Sequence, residues 1–143
     1  MAASQFSTSG TKPASSNRRR FSLEQANRAL PLITRIVRDI VNASQNIADL
    51  EAKLEDTPVK LAPVVQAQLD HSRRRLAEFG EELTDIGVEL KDIESGLIDF
   101  PGRHQGRDVF LCWKLGEDKV EYWHELHAGF AGRQPIRSLR EGD

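Results

Sequence analysis

The chain has 143 residues, with 20 basic and 22 acidic side chains and a formal net charge of −2. That is room for one modest core, and the near-zero charge provides no global field for nucleic acid or an anionic membrane. The single cysteine, Cys112, excludes an internal disulfide and a thiolate-only zinc cluster, and no apolar run is long enough for a membrane span or a secretory signal. A cytoplasmic location is expected.

Residues 1–20 are rich in Ser, Thr, Ala and Gly and end in Arg18-Arg19-Arg20, a composition that predicts a disordered tail before a single domain over 21–143. Ser22 and Gln25 then form a capping-box pattern, which starts a helix expected over about 22–55. Pro31 should kink or break it, because proline removes an amide donor and crowds the preceding turn. Ile33, Ile36, Ile40, Ala43, Ile47, Leu50 and Leu54 alternate spacings of three and four. That is an amphipathic seam of coiled-coil type.

Asp56-Thr57-Pro58 ends the first helix, and a second is expected over about 58–87, with Pro63 allowing a late start and Gly87 as its stop. Val65, Leu69, Ser72, Leu76, Phe79, Leu83 and Ile86 form the answering seam. The two helices should fold into a long antiparallel hairpin. Strands are expected over about 88–126, because the hydrophobic period falls to two: 88–91 and 97–100 flank one turn, with Pro101 ending the second strand. A second pair, 107–115 and 119–126, should turn about Gly116-Glu117-Asp118. Placing Leu115 opposite Val120 sets Trp113 opposite Tyr122 and Leu111 opposite His124, facing the helices, with Cys112 and Trp123 on the other face. The remainder, 127–143, reads as a C-terminal loop. The fold class is therefore α+β, a helical hairpin followed by a small antiparallel meander.

The segments Gly87-Val88-Glu89-Leu90-Lys91-Asp92, Gly96 to Pro101, Leu111 to Glu117, Trp123-His124-Glu125 and Gly129-Phe130-Ala131-Gly132-Arg133 together resemble a prokaryotic family known only as a domain of unknown function. The opening Phe21 to Asn27 with Leu30-Pro31 is similar to that family as well. The resemblance implies a prokaryotic, cytoplasmic setting and brings no catalytic residues with it.

Function must then be read from the residues. His124, Glu125 and His127, with Asp99, are candidate ligands of a divalent metal, since imidazole and carboxylate together suit zinc, iron or manganese. On a regular strand His124 and His127 point to opposite faces, which weakens the pattern. Trp113, Glu117, Trp123 and Arg133 are candidate binding residues, the tryptophans for an aromatic sheet face and Arg133 for an anion held in its glycine-bearing loop. No nucleophile elbow or phosphate loop occurs, so the reading leans away from an enzyme. The first expectation is an interaction or small-ligand module, homodimeric through its helices, with no cofactor. The alternative is a metal-binding protein or metal-dependent enzyme. Nucleic-acid binding through Arg18–Arg20 and Arg73–Arg75 ranks last, for want of interleaved aromatics.

Overall fold

The computed structural model describes residues 19–141. The architecture is the expected α+β arrangement: two long packed helices, then a five-stranded antiparallel sheet in the order β1-β2-β3-β4-β5. Most of the tail expected to be disordered lies outside the described residues, but Arg19 and Arg20, within it, already make contacts with the folded body.

Helix α1 (Leu23–Glu55) begins at the capping box. The Gln25 amide donates to Ser22 Oγ at 3.0 Å, and the Ser22 amide to Gln25 Oε1 at 2.9 Å. The helix does not break at Pro31; it runs 33 residues through it. Pro31 lies exposed on the outer side, while Ala26, Leu30, Ile33, Ile36, Val37 and Ile40 anchor both sides to the core. Tertiary packing outweighs the proline penalty here. After a 3-10 turn (Val59–Leu61), helix α2 (Ala62–Ile86) returns antiparallel and stops at Gly87, whose φ of +101° and amide bonds to the Leu83 and Thr84 carbonyls close its end.

Strand β1 (Glu89–Asp92) pairs with β2 (Leu97–His104), which pairs with β3 (Arg107–Lys114), then β4 (Tyr122–His124), then β5 (Gln134–Pro135), and a short helix α3 (Ile136–Glu141) follows. Strand β2 continues through Pro101, contrary to the expected stop. The Pro101 carbonyl, and hence its missing N–H, faces away from β3, beyond the end of β1, where the Phe21 amide donates to that carbonyl at 2.8 Å. No ladder bond is lost.

The β3–β4 register also differs from the expected one by a single residue: Cys112 lies opposite Tyr122, Leu111 opposite Trp123 and Phe110 opposite His124. The chain leaves the sheet at Lys114, and the Val120 amide donates to Asn27 Oδ1 on α1, at 2.7 Å, instead of to a strand. A slip of one exchanges the faces. Trp123 therefore packs toward the helices with Ile98, Phe100, Leu111 and Trp113, and His124 turns to the opposite face. Glu121 and Glu125 escape burial because β4 is three residues long and its alternation ends before it reaches them.

Candidate functional site

The sheet face turned away from the helices carries Asp99 on β2, Cys112 on β3 and His124 on β4. Asp99 stands opposite Cys112 and Cys112 opposite Tyr122, while His124 belongs to the next row, opposite Phe110. From there its imidazole leans back across β3 toward Asp99. Nε2 lies 3.0 Å from each Asp99 carboxylate oxygen, and Nδ1 lies 2.8 Å from the Glu125 backbone carbonyl. The acceptor at Nδ1 is a carbonyl, so that nitrogen carries a proton and donates it. Asp99 and His124 are 1% exposed and Cys112 is 0% exposed.

The C-terminal segment covers this face. Arg133 lies against the rings of Tyr122 and Phe130, with its guanidinium carbon 4.2 and 4.8 Å from their centroids. It donates from Nη1 and Nη2 to the two Glu117 carboxylate oxygens, both at 2.7 Å, and from Nε to Cys112 Sγ at 3.3 Å. Glu117 is held in turn: its carboxylate accepts from the Lys114 amide at 2.9 Å and its carbonyl from Trp113 Nε1 at 3.1 Å. A fork-on-fork pair thus latches residues 130–133 over the thiol.

Electrostatics follow from that geometry. Burial pushes the Cys112 thiol up to about 12, against the opposing pull of the Arg133 hydrogen bond. It is protonated at neutral pH and is no nucleophile. Burial by itself would raise Glu117, but the Arg133 bonds and the Lys114 amide bring it below the usual carboxylate range. Burial likewise works to lower Arg133, and its bonds to Glu117 and Cys112 overcome this and raise it.

Of the residues singled out from the sequence, the structure brings Asp99 and His124 into direct contact and joins Glu117 to Arg133. Glu125 reaches His124 through its backbone alone, its carboxylate lying 3.4 Å from Arg107, and His127 is exposed outside the group. Trp113 and Trp123 are buried core residues, Trp123 Nε1 donating to Ser138 Oγ at 3.1 Å, so neither offers an aromatic surface. Cys112 is not among the candidate ligands that the sequence suggests. Its company could not be found from spacing, because the three side chains come from three strands and meet only in the observed register.

No helix among the described residues is long and apolar enough to cross a membrane. No curated protein and no solved structure matches the chain. A family model does match, over residues 19–136, and it spans the helical hairpin, the sheet and the Asp99–Cys112–His124 group alike: the chain belongs to the family described as uncharacterized conserved protein DUF2203.

Proposed function

We propose that the chain is a non-enzymatic interaction module whose partner is a second copy of itself, docked along the outer half of the helical hairpin. The carrying observation is the mismatch between hairpin and sheet. The central core takes residues of α1 up to Val41 and of α2 from Leu76 onward, so the stretches between pack on each other alone. Within that outer half Ala43, Ile47, Leu50 and Leu54 are half-buried, and Val59, Leu61 and Val64 are exposed by 89%, 53% and 59%. A two-helix layer this long has one apolar side satisfied and its tip in water.

Charge argues for self-association over a foreign partner. Residues 42–56 carry four acidic side chains and one basic one, whereas residues 59–75 carry three arginines and a lysine against one acidic residue. Across a two-fold axis each acidic α1 faces a basic α2 of the other copy, as an isologous four-helix contact requires. Within one chain the same complementarity already shows, with Arg73 Nη2 2.9 Å from Glu51 Oε2.

Sedimentation equilibrium on the full chain tests the reading. A dimer is expected, and Leu61→Glu with Val64→Glu should convert it to a monomer with an unchanged circular dichroism spectrum. A monomeric wild-type chain, or a dimer indifferent to the double substitution, overturns it.

A further inference from the structure

We propose that Asp99, Cys112 and His124 form a binding site for one thiophilic divalent transition-metal ion of the Zn2+ type, on the sheet face beneath the Arg133–Glu117 latch. The Asp99 oxygen, Cys112 Sγ and His124 Nε2 all lie within 4.8 Å of one another and are buried. A tetrahedral ion with bonds of about 2.0–2.3 Å holds its donors roughly 3.3–3.8 Å apart, so the three side chains close on an ion with small movements.

The hydrogen-bonding pattern is that of a site prepared for a cation. Nδ1–H of His124 is committed to the Glu125 carbonyl, the outer-sphere bond that leaves Nε2 as the ring's lone-pair position. Nε2 lies 3.0 Å from both Asp99 carboxylate oxygens, a contact that needs either a proton or a metal ion between nitrogen and oxygen. In the ion-free protein a proton serves. It links two of the three donors, while the sulfur accepts from Arg133 Nε at 3.3 Å; an ion joins all three. One thiolate, one carboxylate and one neutral imidazole carry two negative charges, the number that neutralises a divalent ion in a buried place. The sulfur selects zinc-like ions over magnesium or calcium, which prefer oxygen-only shells.

Binding displaces the Cys112 thiol proton and the proton shared by His124 and Asp99, both to solvent. Three protein donors leave one tetrahedral position for water. Arg133 fits as an outer-sphere partner rather than a competitor, because its Nε–H points at Sγ from 3.3 Å and its own charge is matched by Glu117. Neither Glu125 nor His127 is a ligand in this arrangement, which distinguishes it from a set read along the strand.

The test is Co2+ binding by the full metal-free chain, both by titration of the folded protein and by refolding from denaturant with the ion present. A thiolate-to-cobalt charge-transfer band in the near ultraviolet, saturating at one ion per chain and abolished by Zn2+, is expected. Cys112 is the only cysteine, so such a band assigns itself. Cys112→Ser should lose the band while Glu125→Gln and His127→Gln keep it. Absence of the band by both routes, or its loss in His127→Gln, overturns the site. Should Cys112→Ser fail to fold, the wild-type spectrum and stoichiometry still decide. The hairpin-tip double variant should bind Co2+ as the wild type does, which separates this site from the proposed dimer.

Discussion

His124 Nε2 is 3.0 Å from both carboxylate oxygens of Asp99, a contact that spans β3 from β4 to β2 and is sealed from solvent. Removing one partner of such a pair strands the other in a dry place, whereas removing both does not. In metal-free protein, His124→Leu is therefore expected to destabilise the fold by about 3 kcal/mol, and Asp99→Asn with His124→Leu by clearly less than the sum of the two single changes. Urea unfolding of the four proteins closes the cycle. Additive single effects would show that the pair is not coupled.

Gly96 joins the first sheet turn to α1. Its φ is +72°, and a Cβ there would meet Leu115 Cβ and Val37 Cγ1 at 2.9 Å each. Strain and overlap add, so Gly96→Ala should cost on the order of 2 kcal/mol. Gly106→Ala makes the control, because it shares the positive φ, at +81°, with nothing within 4 Å of the added carbon. Thermal melts should rank Gly96→Ala well below Gly106→Ala.

The Arg133–Glu117 latch sets a pH dependence whose sign is fixed. Glu117 titrates lower in the folded protein than in the unfolded chain, so its stabilisation is complete above the ordinary Glu value of about 4.3 and is lost as pH falls through the lower folded value. Glu117→Gln should melt earlier than wild type by a constant margin from neutral pH down to about 5, and the margin should shrink below about 4. A margin that stays constant into strong acid would mean that the carboxylate charge does not hold the latch.

The helices were legible because their signals are local. The Ser22–Gln25 box, the two seams and Gly87 each act within a turn or two of their own position, and the structure uses all of them. What was not legible depends on contacts far apart in the chain. The Val120 amide bonds to Asn27 across 93 residues instead of joining the sheet, and in the observed β4 register, one residue from the expected one, Trp123 enters the core and His124 meets Asp99 and Cys112. Pro31 and Pro101 misled for a related reason. A proline rule speaks for the backbone alone: at Pro31 core packing on both sides outweighs the lost bond, and at Pro101 the missing donor faces away from β3.

Arg20 donates to both carboxylate oxygens of Asp108, from Nε at 3.1 Å and Nη2 at 3.3 Å, and Arg103 Nε adds a third bond at 3.2 Å. The Arg20 bond is the main reason that Asp108 titrates below the usual carboxylate range. One residue earlier, the Arg19 guanidinium lies 4.4 Å from the Phe21 ring centroid and donates to the Ile86 carbonyl at 3.3 Å. These two arginines flank Phe21, which is 1% exposed and bonded to Pro101, so they clamp the segment that enters α1. A chain beginning at Arg18 should keep the full-length melting temperature, and one beginning at Phe21 should melt several degrees lower at neutral pH. Because a depressed carboxylate stabilises only above its unfolded value, the part of that deficit due to Asp108 should fade as pH falls below about 4, and Asp108→Asn should reproduce it in the chain beginning at Arg18. Equal melting temperatures for the two truncations would show that the arginines ride on the surface without holding the entry to the helix.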